Sequence, residues 1–204
     1  MTTKRNLKTA DRILDEAEKL VQVRGFNAFS YADISKAVGI QKASLHHHFA
    51  TKSDLGLALI ERYRRVFVDA LAAIDAEGGP AAERLERYVA LYRTVLRRGR
   101  MCMCGMLAAD VATLPQDMRE SVAGFFSENV SWLTRVLAEG KKNNELTFVG
   151  TAASAAGFIV SSLEGAMLVA RGSGDLDHLD NVATHLTATF RAGKKRRAAP
   201  KSKQ

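Results

Sequence analysis

The sequence predicts an all-α protein of about nine helices. Three observations carry that expectation. Apolar residues recur with a 3.6-residue period over nearly the whole chain, no alternating β-branched run bounded by turns reads as a strand, and Gly39, Gly78-Gly79-Pro80, Gly99 and Pro115 punctuate the periodic segments. At 204 residues and 47% apolar content, the chain can bury one sizeable core plus a small appended domain.

The first helix places Ala10, Ile13, Leu14, Ala17, Leu20 and Val21 on one face, and Gly25 sits where a left-handed cap is wanted. Phe26 and Phe29 then re-enter the core. Ser30 suits an N-cap, with Asp33 in the first turn of a short helix through Ile34 and Ala37 to Val38, and Gly39 ends it. A further helix spans about Lys42 to His48. Thr51 with Asp54 opens a long one bearing Leu55, Leu59, Tyr63, Val66, Ala70 and Ile74, broken by Gly78-Gly79-Pro80. Leu85, Tyr88, Tyr92 and Val95 form the next stripe, and a short helix follows over about Met103 to Thr113. Pro115 starts a long segment whose Met118, Val122, Phe125, Trp132, Leu133, Val136 and Leu137 make an apolar side ending at Gly140, before a polar loop from Lys141 to Glu145. Thr151 opens a helix to about Arg171, and Asp177 caps a last one carrying Leu179, Val182, Leu186 and Phe190.

The net charge of +8 is unevenly spread. Residues 191–204 carry seven basic side chains and no acid, residues 1–60 nine basic against six acidic, and residues 61–190 fourteen against sixteen. The tail from Arg191 to Gln204 lacks the apolar content to fold and reads as a basic disordered tail that either adds sequence-independent attraction to phosphates or only solubilises. DNA binding must therefore be argued from a motif and not from the overall charge. No run reaches about 18 uninterrupted apolar residues, and the start is polar and basic, so the expectation is a cytoplasmic protein with no membrane partner. Two cysteines, Cys102 and Cys104, are too few and too close to be a disulfide framework.

What singles out the N-terminal arrangement is Ser30-Tyr-Ala-Asp-Ile-Ser-Lys-Ala-Val-Gly39 and its sequel, spaced as a helix-turn-helix. Ala32, Ile34, Ala37, Val38 and Ile40 can pack its two helices together, Gly39 permits the tight turn, and Leu45 and Phe49 anchor the second helix. The outward side of that helix keeps Gln41, Lys42, Ser44, His46 and His47, side chains with the donors that a helix laid in a major groove must present. From Thr9 to about Tyr63, and most closely over Ile40-Gln-Lys-Ala-Ser-Leu-His-His-His-Phe-Ala-Thr-Lys-Ser-Asp-Leu55, the sequence resembles the TetR family of repressors. The resemblance implies a three-helix DNA-binding domain at residues 1–53 and a helical-bundle domain for ligand sensing and dimerisation at 54–190, with 191–204 as tail. By position it implies that Gln41, Lys42 and Ala43 approach base edges, and that Tyr31, Ser44, His46, His47 and Lys52 contact phosphates. Many family members carry Tyr where this chain has His46. The triple His46-His47-His48 is not a metal site, because consecutive helical residues point about 100° apart.

The resemblance also implies a homodimer, since one short recognition helix reads too few base pairs of double-stranded operator DNA. Gly157, Ser161 and Gly165 recur every four residues and let another helix pack closely, with Phe158, Leu163 and Met167 as apolar area beside them, and Leu186 of the last helix joins the expected interface. In the regulatory half the unusual stretch is Arg100-Met-Cys-Met-Cys-Gly-Met-Leu107. One reading is core, because Cys and Met fill irregular gaps. Another is a reactive thiol: Arg97, Arg98 and Arg100, if close to Cys102 or Cys104, would lower a thiol pKa. A soft-metal site and a reversible apolar ligand between helices are further readings. The stretch from Cys102 through Leu114-Pro-Gln-Asp-Met-Arg119 to Leu146-Thr-Phe148 resembles the NemR-like, electrophile- and oxidant-sensing branch of the family, in which Cys102 takes the sensing position and Arg171 falls near a place that can carry a lysine.

The sequence thus predicts a transcriptional repressor released by a small-molecule effector or by modification of a cysteine, with an activator or an architectural DNA-binding protein of the same fold as the alternative. It predicts no enzyme, cofactor or metal: the histidines lie in the DNA motif or at His178 and His185, and no Gly-rich loop suggests a nucleotide.

Overall fold

The computed structural model describes residues 2–191, in which helices are joined by turns and loops and one isolated bridge links Leu146 and Arg191. Helix α1 (Thr2–Arg24) turns its buried Ile13, Ala17, Leu20 and Val21 onto α2 (Tyr31–Val38), α4 (Lys52–Glu77) and α6 (Met103–Ala109). A 3₁₀ turn at Phe26–Ala28 carries the chain into α2, which starts where the Asp33 carboxylate accepts from both the backbone N–H and the hydroxyl of Ser30, each at 2.7 Å. Gly39, at φ 72° and ψ 40°, supplies the left-handed residue that turns α2 into α3 (Lys42–His48). Thr51 caps α4 in the same manner as Ser30 caps α2: Asp54 accepts from its N–H at 2.9 Å and its side chain receives the Asp54 N–H at 3.1 Å.

The body is built from α5 (Ala81–Arg97), α6, a 3₁₀ turn at Val111–Thr113, α7 (Gln116–Lys142), α8 (Ala152–Ser173) and α9 (Asp177–Phe190). Helix α7 lies against α4, α5 and α8, and α9 closes the bundle against α8 and α5. Tyr63, Phe67, Tyr88, Tyr92, Phe125 and Trp132 meet at its centre, with Tyr88 stacked on Trp132 at 5.6 Å. Such a core tolerates polar atoms only when paired, and the Tyr88 hydroxyl accordingly donates to Asn129 Oδ1 at 3.0 Å.

Three details differ from the sequence reading. Helix α7 runs through Gly140 to Lys142. Gly140 is there for close packing and not as a stop: an added Cβ would sit 2.6 Å from Ala81 Cβ and 2.7 Å from Leu146 Cδ1. Gly25 has a positive φ of 90° but an extended ψ of 160°, so it redirects the chain without closing a left-handed cap. Helix α8 is long and apolar enough to cross a membrane by length and composition alone. Its Ala155, Ile159, Leu163, Met167 and Ala170 are nonetheless buried in the bundle. The basic tail beyond Arg191 lies outside the described residues.

Candidate DNA-reading surface and thiol site

Helix α3 is held to the domain by Leu45, its one buried residue, while Gln41, Lys42, Ala43, His46 and His47 are exposed and Ser44 is half-buried. These residues share the outer side because Leu45 fixes which way the helix rolls. The His46 ring lies 4.8 Å from that of Tyr31, and its Nδ1 is 3.1 Å from the Ala50 carbonyl. A carbonyl only accepts, so Nδ1 is the donor of that contact. Arg12 reaches from α1 to the Val38 carbonyl at 2.5 Å and fixes the C-terminal end of α2 beside the turn.

Two expected phosphate ligands are placed differently. Tyr31 is 6% exposed, and its hydroxyl is directed at the carbonyls of Phe49 and Thr51, at 3.0 and 2.5 Å. Burial, with the Asp54 charge adding to it, pushes that phenol up to about 12. It clamps the α3–α4 turn and has no free donor to offer DNA. Lys52 donates to the Phe29 carbonyl at 2.6 Å and lies over the Phe26 and Phe29 rings at 4.8 and 4.4 Å. Its ammonium braces the loop between α1 and α2, and desolvation draws its pKa down.

In the regulatory half, α6 carries both thiols inside the bundle, Cys102 and Cys104 each being free and buried. Cys102 caps α6, its Sγ accepting from the Gly105 N–H at 3.4 Å, and the Tyr63 hydroxyl donates to the same sulfur at 3.9 Å. Burial pushes both thiols well up, and the Glu164 carboxyl on α8 pushes them further. The expected activation by neighbouring arginines is therefore overturned. Arg97 pairs with Asp180 at 3.3 Å, Arg98 is exposed, and Arg100 reaches Gln22 Oε1 at 3.5 Å, so none of the three acts on a thiol. Arg171 donates to the Gln22 carbonyl at 3.1 Å, to the Val23 carbonyl and to Met106 Sδ at 3.7 Å, tying α8 to the end of α1 and to α6.

That end of α1 is a junction. The Gln22 carbonyl also receives the Met101 N–H at 3.2 Å, the Phe26 N–H donates to Asp110 Oδ2 at 3.1 Å, and Asn27 donates to Thr113 Oγ1 at 2.8 Å. Both flanks of α6 are thus bonded to the helix-turn-helix. Gln22, Asp110 and Glu164 were missed by sequence reasoning. Only Glu164 left a signal there, as the one acidic residue in the whole of α8.

Of the expected dimer face, α8 leaves part uncovered in the single chain. Gly157 and Gly165 have no neighbouring atom within 4 Å of an added Cβ, Ser161 is exposed, and Phe158 is 57% exposed, with Leu168 and Val169 uncovered on the same helix. Leu186 is only 4% exposed and belongs to the core of the single chain. Among the described residues no cluster of three His, Cys, Asp or Glu side chains could hold a metal ion.

Comparison with known proteins agrees with this architecture. Residues 13–59 match the family described as bacterial regulatory proteins, tetR family, and residues 81–185 match the C-terminal domain of LmrA/YxaF-like transcriptional regulators. The HTH-type transcriptional repressor NemR of Escherichia coli is 27% identical over 184 residues, spanning 87% of this chain and 92% of that one. A TetR family regulator from Agrobacterium tumefaciens superposes with a TM-score of 0.89 at 33% identity, over 92% of this chain and 100% of its own. The reduced form of E. coli NemR superposes with a TM-score of 0.78 at 26% identity, over 90% and 98%.

Proposed function

The chain belongs to the TetR family of bacterial regulatory proteins, and we propose that it is a cytoplasmic repressor that grips operator DNA as a homodimer and lets go when Cys102 is modified. TetR-type regulators bind operators as dimers, because two recognition helices set about one helical turn apart read enough base pairs for specificity. In this chain residues 1–53 would read DNA and 54–190 would sense and dimerise. Gln41, Lys42 and Ala43 would face base edges, and Ser44, His46 and His47 the flanking phosphates. The strip of half-buried Gly157 and Gly165 with exposed Phe158, Ser161 and Leu168 would seat the same strip of a second copy.

The observation that carries the release mechanism is the double attachment of α6 to the end of α1, through Met101 to Gln22 and through Asp110 to Phe26. Cys102 is buried at the start of α6, so a group added to it would displace α6 and, through those attachments, pull on the helix that frames the DNA-reading unit. The test is to titrate N-ethylmaleimide onto the reduced protein bound to a genomic fragment selected for affinity. Alkylation is expected to lower operator affinity at least tenfold, equivalent to about 1.4 kcal/mol between the two states. Cys102→Ser is expected to bind DNA and ignore the reagent; a serine variant that responds as the parent does removes the thiol from the mechanism.

A second reading is favoured by a cleft of about 240 Å³ between α1, α4 and α5, lined by Gln22, Tyr63, Phe67, Leu91, Val95 and Arg100. A reversible, mostly apolar ligand there would wedge α1 from α4 and needs no thiol. Release of operator by such a ligand in the Cys102→Ser protein would select it.

A further inference from the structure

We propose that the cleft between α1, α4 and α5 binds an amphipathic monocarboxylate, an aromatic or medium-chain acid. Its apolar body would lie on Phe67, Leu91 and Val95, and its carboxylate would meet Gln22, Arg98 and Arg100. The inference rests on the second reading above, that a reversible ligand enters this cleft, and it names the chemistry of that ligand.

Three observations converge on it. First, a buried amide is left open toward the cleft. Gln22 is 3% exposed and lines the cleft, and among the described residues its side chain has one contact, from Arg100 to Oε1 at 3.5 Å. Its Nε2 therefore carries two N–H groups that no acceptor of the protein takes. This nitrogen is not among the sealed polar atoms of the molecule, so the cleft is where an acceptor can reach it.

Second, the charge at the mouth is positive and unmatched. Arg98 and Arg100 both line the cleft, and neither has an ion-pair partner among the described residues, whereas Arg93 and Arg97 both bind Asp180, at 2.5 and 3.3 Å. The last carbonyls of α5 do not offset them: Val95 accepts from the backbone N–H groups of Arg98 and Arg100, and Leu96 accepts from that of Gly99. Glu18, the one carboxylate among the lining residues, is held by Arg62 at 2.8 Å. The other hydroxyls are engaged as well, Thr94 with the Ala90 carbonyl at 2.8 Å and Tyr63 with Cys102 Sγ at 3.9 Å.

Third, the rest of the cleft is apolar and small. Phe67, Leu91 and Val95 are half-buried along its wall, and Val66 on its lip is 62% exposed. Its volume of about 240 Å³ lies just under the range of drug-sized sites, which suits a single ring or a short chain.

A carboxylate fits this set because its two oxygens lie in one plane and can take N–H groups from a guanidinium fork and from the Gln22 amide together. A primary amide of the same shape leaves the arginines uncompensated, and an amine would be set against them as a like charge. The site also sits on the joint of the molecule. The Gln22 carbonyl receives Met101 from the start of α6 and Arg171 from α8, so a ligand that grips the side chain of Gln22 acts on the residue that ties α1 to the body.

The experiment is calorimetric titration of the full-length protein with benzoate, 3-phenylpropionate and octanoate, each beside its primary amide and the amine of equal length. At least one acid is expected to bind, its amide at least tenfold more weakly, and no amine. Arg98→Ala changes an exposed side chain, so it should keep the parent's Tm while weakening the acid at least threefold; Gln22→Met should weaken it at least tenfold. If Gln22→Met fails to fold, Arg98→Ala decides. No binding of any acid at about 1 mM, or binding that ignores both substitutions, overturns the proposal. An amide that binds as tightly as its acid removes the carboxylate chemistry and leaves the reading of a ligand in the cleft standing. The acid that binds is expected to release operator from Cys102→Ser as well as from the parent. Should it bind with the expected selectivity and release neither, the site stands and its role in release falls.

Discussion

Helices α3 and α6 are each seven residues long and do opposite work. Helix α3 buries Leu45 alone and keeps a polar rim in water, while α6 buries Met103, Cys104 and Leu107 and has its capping residue Cys102 enclosed as well. A seven-residue helix has almost no stability of its own, so each is held by its surroundings, and what differs is which surface is left over. In α3 the remainder faces outward and is free to meet a ligand as large as DNA. Helix α6 presents only Ala109 fully to water, so a bulky group added at its buried start is transmitted instead of absorbed.

The largest effect should come from stripping the rim of α3. Replacing Gln41 and Lys42 together by Ala removes base-edge and phosphate donors worth about 1–3 kcal/mol per half-site, and a dimer suffers the loss twice. Operator affinity measured by fluorescence anisotropy should fall roughly a hundredfold or more, and the salt dependence of binding should become shallower. Melting should be unaffected, because neither side chain is packed. A variant that binds normally would put the reading surface elsewhere.

The mirror experiment lies in α6. Leu107 is 1% exposed, and Leu107→Ala should cost about 2–5 kcal/mol of stability. For a chain of this size that lowers Tm on the order of 10 °C. The folded fraction should still bind operator, since no DNA contact is touched. Loss of affinity without loss of Tm would erase the contrast between the two helices.

The contrast also explains what the sequence made legible. Features set by local chemistry were readable: the Ser30 and Thr51 caps, the left-handed Gly39, and the polar side of α3, each defined by residues a few positions apart. Features set by what lies across a contact were not. Tyr31 and Lys52 have the chemistry of phosphate ligands, but the carbonyls of Phe49 and Thr51 take the one donor of Tyr31, and the Phe29 carbonyl takes one of the three of Lys52. Gly140 looks like a helix terminator until Ala81 and Leu146 are seen pressed against it. Leu186 has the period of an interface residue and the burial of a core one. In the thiol site the cysteines were conspicuous, while the groups that govern them, Tyr63 and Glu164, come from helices far away in sequence, and the nearby arginines point elsewhere.

The smallest effect predicted here separates transmission from binding. Asp110 follows α6 and accepts the Phe26 N–H at 3.1 Å; Phe26 is buried, and Gly25 passes so close that an added Cβ would sit 3.4 Å from the same carboxylate oxygen. Asp110→Ala leaves that N–H without its partner, a cost of about 1–3 kcal/mol that should appear in Tm. The reduced protein keeps the Met101 and Arg171 bonds to Gln22, so its operator affinity should change less than about threefold. What should shrink is the response: the ratio of operator affinities before and after alkylation of Cys102 ought to fall toward one, because one of the two attachments through which α6 pulls on the helix-turn-helix has been cut. A variant whose alkylated and reduced forms differ as widely as those of the parent would mean that the signal leaves α6 by another path, through Tyr63 into α4.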